Sequence, residues 1–253
     1  MEKSKVIGNK SIKELVDENY IYASVLYYFG IQFYDYSTET LEQVCAQKGL
    51  QLPQVIKGLE SVSRNSPDKH LLIFAYPVDL IIEYLKHKHF LFIKQELPYI
   101  LKLVSEIPDG LDKEYPVVAD LKFVFPHFVE DFIHHIFEEE DTLFSYILAL
   151  HKSLEKKVCP PDLYFKMEQN SIQRFAMEHD EHDDEMRGIR KITHNYATEG
   201  VENLLLKVVY KELRQFEESL KLHAKIENEI LFPRALMLER EVKEMYQQTS
   251  KFN

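Results

Sequence analysis

Past residue 76 the chain carries breaks at Pro108 with Gly110, at Cys159-Pro160-Pro161 and at Gly200, and the spacing of those breaks constrains the fold more than any other feature. Pro77, a residue favoured in a first helical turn, opens an amphipathic segment that runs to about Ser105, where Pro108 and Gly110 end it. A second segment runs from about Pro116 to Lys157. Cys159-Pro160-Pro161 interrupts there, because consecutive prolines remove amide donors and push the preceding residue out of the helical region. A third segment extends from about Asp162 to Tyr196, and after Gly200 a fourth reaches about Gln247. Four long helices with three short joins pack as antiparallel neighbours. The expectation is an all-α chain whose residues 76–248 form an up-down-up-down four-helix bundle. Residues 1–60 read as a small helical N-terminal domain, with a helical period through Leu15, Tyr20, Ala23, Val25 and Leu26, a break at Gly30 and a second helix from about Thr40. The polar run SVSRNSPDK falls in a linker over 61–75. Seven Gly and ten Pro in 253 residues agree with long helices and few turns.

Two of the bundle segments carry the same phrase. His135 and Glu139 are followed by Leu143 and Phe144, and His223 and Glu227 by Leu231 and Phe232, at identical offsets. Four residues advance an α-helix by about 400°, so each His and Glu project from one face about 6 Å apart along the axis. The bare pair says little, since four of the eleven histidines (134, 135, 151 and 223) have Glu at the fourth following position. An exposed ion pair explains such spacing equally well. The shared apolar continuation changes the reading, because it makes the ligand face the buried face as well. Polar groups dipped into an apolar core are costly unless something binds them, and a metal ion would. The two phrases then supply His135, Glu139, His223 and Glu227 as candidate ligands.

A metal pair in such a bundle needs donors from all four helices at one depth. On the first, His87 and His89 differ by about 200° in phase, so only one faces inward. Leu85, Phe92, Ile93 and Glu96 bracket His89 at spacings of four, three, four and seven, which selects it. On the third, His179 and His182 share a face with Phe175, Met186 and Ile189. His179 is the candidate, while His182 fits a solvated face equally well. His127, two turns before His135 on roughly the same side, reads as a ligand, a donor to a ligand or a residue at the bundle end. His70, His151 and His194 carry no case. Imidazoles with carboxylates suit iron and other divalent transition metals, and calcium or magnesium would require more oxygen. Glu followed by His three residues on marks ferritin-like sites, whereas here His precedes Glu by four, which points away from ferritin.

A net charge of −11 and a pI near 5.5 disfavour nucleic acid or an anionic membrane as partner. Only Cys45 and Cys159 are present, without paired spacing, so neither a disulfide framework nor a thiolate zinc site is indicated. The first residues lack the apolar stretch of a secretion signal, and no apolar run reaches the ~18 residues of a membrane span. A cytoplasmic setting is expected.

With His89, HxxxE trailed by LF at His135, Glu178-His179-Asp180, and His223 with Glu227-Asn228 closing in LFPRAL, the chain resembles the hemerythrin-like domain of the RIC (repair of iron centres) di-iron proteins. The run from His179 to IRKIT keeps the family spacing, and the resemblance spans roughly Asp79 to Leu236. It implies a non-haem centre of two iron ions, oxo- or hydroxo-bridged when oxidised, with Glu139 and Glu227 bridging and His89, His135, His179 and His223 as terminal ligands. Glu178 or Asp180 would orient ligands. The implied role is iron-sulfur cluster repair or a response to nitric oxide or oxidative stress, with damaged iron-sulfur proteins as partners. The alternative is reversible binding or sensing of dioxygen or nitric oxide without catalysis. YYFGIQFYDYSTETLEQVCAQKGL also resembles the family's N-terminal domain, but Tyr34 and Asp35 stand where that domain carries adjacent cysteines. The family's additional His between the first two helices is missing as well, since that stretch offers Glu106, Asp109 and Asp112. One iron then has an open position, or His182 or His127 fills it. The aromatic residues Tyr22, Tyr27, Tyr28, Phe29 and Phe33 either fill a small core or form a homodimer face.

Overall fold

The computed structural model describes residues 6–19, 21–36, 38–62, 76–158, 160–169, 171–182 and 184–250, with the backbone alone described at 61, 62 and 178–182 among others. Among the described residues the N-terminal part includes the helices α1 (Ile12–Glu18), α2 (Ile21–Tyr28), α3 (Leu41–Lys48) and α4 (Leu52–Val62). Two expected helices are thus four shorter ones. Asn19 is extended at the end of α1, and Gly49, with φ at 67°, closes α3 in the left-handed region that favours glycine. Ser11 with Glu14, and Thr40 with Gln43, form reciprocal capping boxes at the starts of α1 and α3. The two caps lie side by side, joined by Ile12 N–H to the Glu39 carbonyl and Leu41 N–H to the Lys10 carbonyl, each 3.0 Å. α2 and α4 approach closely at Gly58, where a Cβ would stand 2.9 Å from the Phe29 ring.

The bundle comprises α5 (78–105), α6 (117–156), a segmented third member and α10 (204–250). The third member is not the single helix expected over 162–196. It is divided into α7 (Pro161–Gln169), α8 (Ile172–His182) and α9 (Arg187–Ile192). Ser171 starts a new helix by accepting the Arg174 N–H on its hydroxyl. α9 ends where His194, Asn195 and Tyr196 all have positive φ, a turn held by Thr193, whose Oγ1 accepts the Tyr196 N–H.

Two apolar clusters fill the molecule, and their order along each helix fixes the topology. The first joins the N-terminal helices to one end of the bundle, and the second fills the other end. α5 passes from the second (Ile81, Ile82, Leu85) into the first (Phe92, Leu97, Ile100). α6 goes the opposite way, from Phe125 and Ile136 to Leu143 and Phe144. The third member starts in the second with Leu163 and Ile172 and ends in the first with Ile189. α10 returns from Leu206 and Phe216 to Ile226 and Leu231. This is the up-down-up-down bundle that short joins enforce. Among the described residues no helix is long and apolar enough to cross a membrane.

The aromatic residues of α2 are used within the molecule. Tyr27 lies 4.9 Å from Tyr99 of α5, ring to ring, and the Tyr28 hydroxyl donates to the Gln95 carbonyl. Phe33 is fully buried. Tyr34 is half-buried near Glu106 and Asp35 is exposed. Cys45 is buried, with burial raising its thiol pKa, and Cys159 lies outside the described residues.

Candidate metal centre

The boundary between the two apolar clusters is polar, and each long helix changes its winding there. A π-helical turn occupies Phe92–Glu96 in α5, Glu140–Phe144 in α6 and Glu227–Leu231 in α10. Such a turn inserts a residue and re-aims the side chains around it. In α5 and α10 a proline lies two residues past the turn. Pro98 and Pro233 cannot donate to the carbonyl one turn back, which favours the wider turn. In α6 side-chain hydroxyls do the equivalent work. Thr142 donates to the Glu138 carbonyl and Ser145 to the Asp141 carbonyl, each at 2.6 Å.

At this level His89, Glu139, His223 and Glu227 are all buried, and one donor atom from each lies within 4.8 Å of the others. His89 Nε2 is 3.0 Å from His223 Nε2 and 3.5 Å from Glu139 Oε2, and His223 Nε2 is 3.0 Å from Glu227 Oε1. The Phe144 ring stacks parallel on His89 at 5.5 Å, and Phe92 stands edge-on to His223. His89 Nδ1 donates to Glu140 Oε1 at 2.8 Å, which leaves the Nε2 lone pair aimed into the cluster.

The electrostatics call for a cation. Burial, then the neighbouring His223, lowers the His89 pKa to about 3, so this imidazole is neutral near pH 7. Burial, then the charge of Glu227, drives the Glu139 carboxyl well above the usual carboxylate range. A divalent ion would relieve both strains: it can take the Nε2 lone pairs of both imidazoles in place of the single proton that bridges them, and it compensates the buried carboxylate charge while displacing the proton of Glu139. The donor set of two imidazoles and two carboxylates, without thiolate, suits iron and similar divalent transition metals. These residues fit a metal centre.

The remaining candidates fall in different places. His135 lines the same cavity, half-exposed, with Nε2 3.8 Å from Glu185 Oε1, and is outside the group of four. The backbone of His179 runs in α8, but its side chain, like those of Glu178, Asp180 and His182, lies outside the described residues. His87 is exposed, as is His127, whose Nδ1 donates to the Phe123 carbonyl of its own helix, so His127 supplies no missing ligand here. His70 falls outside the described residues. Glu140 was absent from the sequence-based set, although it directly follows a ligand candidate. Its partner is 51 residues away, on another helix, so spacing alone holds no trace of the contact. The cavity measures about 60 Å³, room for ions and a few small molecules but not for an organic substrate.

Residues 81–235 match the family described as Hemerythrin HHE cation binding domain. The chain belongs to that family. The match takes in all four members of the buried group as well as His135 and His179. This hemerythrin-like chain is also similar to a probable iron-sulfur cluster repair protein of Haemophilus influenzae, at 26% identity over 205 residues, which cover 78% of this chain and 82% of the relative.

Proposed function

We propose that this hemerythrin-like protein holds two iron ions through His89, His135, Glu139, His179, His223 and Glu227, and that it acts in repair of iron-sulfur clusters or in the response to nitric oxide or oxidative stress. The observation that carries the reading is the buried quartet of two imidazoles and two carboxylates with donor atoms within 4.8 Å. The similarity to a repair protein over most of both chains supports the choice of role. An iron pair, when bound, supplies one-electron chemistry and coordination for a diatomic molecule.

The chain's own residues prepare the site for that chemistry. Glu140 fixes the proton of His89 on Nδ1 and so keeps Nε2 available as a donor. Glu139, whose carboxyl burial holds above the usual range, releases its proton as it takes up positive charge. Phe92, Phe132 and Phe144 pack apolar rings beside His89 and His223, which lowers the polarity around their metal-facing atoms. Residues 1–60 would serve as an accessory unit joined through 61–75, in the cytoplasm, with damaged iron-sulfur proteins as clients.

Reversible binding of dioxygen or nitric oxide is the second reading. It is favoured by Tyr34 and Asp35, which offer no thiol for exchange, and by a cavity suited to small molecules. Elemental analysis and Mössbauer spectroscopy after anaerobic ferrous loading test the shared basis of both readings, with two irons per chain expected. Less than one iron per chain would end them together. Restoration of a damaged iron-sulfur enzyme, against reversible gas binding alone, separates the two.

A further inference from the structure

We propose that Glu185 is an additional carboxylate ligand of the metal pair, on the side of His135, and that it completes the half of the site that the buried quartet leaves short of donors. The inference rests on the two-metal reading above. His89, Glu139, His223 and Glu227 form a closed group. Among the described residues, a second ion beside it would draw on His135, which shares the cavity from the same helix face as Glu139, one turn earlier. Among the described residues, Glu185 faces His135 across that cavity, its Oε1 3.8 Å from the imidazole Nε2. An ion lying between His135, Glu139 and Glu185 would thus have one nitrogen and two carboxylate donors from residues lining one cavity.

The segment that carries Glu185 is held in place on both sides. Asp184 is paired with Arg190, and the same guanidinium binds Glu217 of α10. Glu217 is itself buried and accepts from the Tyr196 hydroxyl, so the clamp ties α9 and its turn to the fourth long helix. On the other side Met186 is buried beside Ile189 in the first apolar cluster. With its neighbours fixed to the arginine clamp and to the core, Glu185 is presented to the cavity by a braced turn. A carboxylate is also the donor that charge favours. Two divalent ions carry four positive charges, and Glu139 with Glu227 offset two of them, so a third carboxylate reduces the residue.

The test uses the full metal-free chain, titrated without air with Co(II), whose visible absorption reports coordination, and with a chelator competing for each step. The wild type is expected to take two Co(II) ions. Glu185→Gln, which keeps the shape and removes the charged donor, should keep one ion at native affinity and weaken the other by about 10–100-fold or more. Circular dichroism and the melting temperature of the metal-free variant establish that its fold is retained. Binding of both ions at native affinity in this variant overturns the inference, as does an equal loss at both steps, which long-range charge would cause. A wild type that takes fewer than two ions overturns the two-metal reading itself, so the two failures are told apart.

Discussion

Replacing Glu212 by Gln should make the metal-free protein more stable at alkaline pH and leave it nearly unchanged at pH 5. Glu212 sits on α10 where the N-terminal helices meet the bundle, close to Glu96 in the π turn of α5 and to the hydroxyls of Tyr28 and Tyr99. Burial, then the charge of Glu96, pushes its carboxyl up from 4.5 to about 8. The folded state therefore keeps a proton that the unfolded chain has lost between those two values. Because the folded state binds the extra proton, stability falls as pH rises through this window, and the full penalty is present above about 8. At 1.36 kcal/mol per pH unit the ceiling is about 4.8 kcal/mol; partial contact of the side chain with water reduces this to roughly 2–3 kcal/mol. For a chain of this size that corresponds to about 4–12 °C in melting temperature. Gln holds its neutral amide at every pH, so it copies the protonated acid. Thermal and urea unfolding followed by circular dichroism from pH 5 to 9 would read the difference. Parallel profiles for the two proteins would refute the reasoning, and a variant less stable at pH 9 would mean that Glu212 works as an ionised partner.

Three further outcomes are expected. Glu139→Gln combined with Glu227→Gln should abolish metal uptake, measured by elemental analysis, while the metal-free double variant melts no lower than the native chain, because two costly buried acids are gone. Glu140→Ala should leave two metals per chain at saturation yet weaken them about 10–100-fold in chelator competition, since His89 loses the group that orients it; unchanged affinity would count against that role. Gly58→Ala should destabilise by about 1–3 kcal/mol in urea titration despite its better helix propensity, because the new methyl meets the Phe29 ring at 2.9 Å; a stabilised variant would show that the ring gives way freely.

The bundle was legible because its signals are local. Pro77 marks where a helix starts, Pro108, Gly110, Pro160 and Gly200 mark where helices break, and apolar periodicity marks which faces turn inward. The interruptions of the third member were not. Ser171 and the left-handed turn at His194–Tyr196 look like ordinary polar sequence, and what holds them is a hydroxyl cap in one case and Tyr196 reaching Glu217 in the other. The π turns lie between these cases. Pro98 and Pro233 announce a disturbed helix, but only the structure shows that the disturbance falls at the depth of the buried histidines.

The sequence by itself determined the helical architecture, the antiparallel order and the donor chemistry, because propensity, periodicity and residue type act over a few neighbouring positions. It also decided the inward phase of His89 over His87, since a difference of two residues turns the side chain by about 200°. Only the tertiary structure decided which donors meet. His89 reaches His223 across 134 positions, Glu140 reaches His89 across 51, and Glu185 comes to face His135 because a clamp from α10 holds its turn there. No local rule encodes such distances: they follow from how two apolar clusters pack on either side of one polar layer and bring groups from separate helices to the same depth.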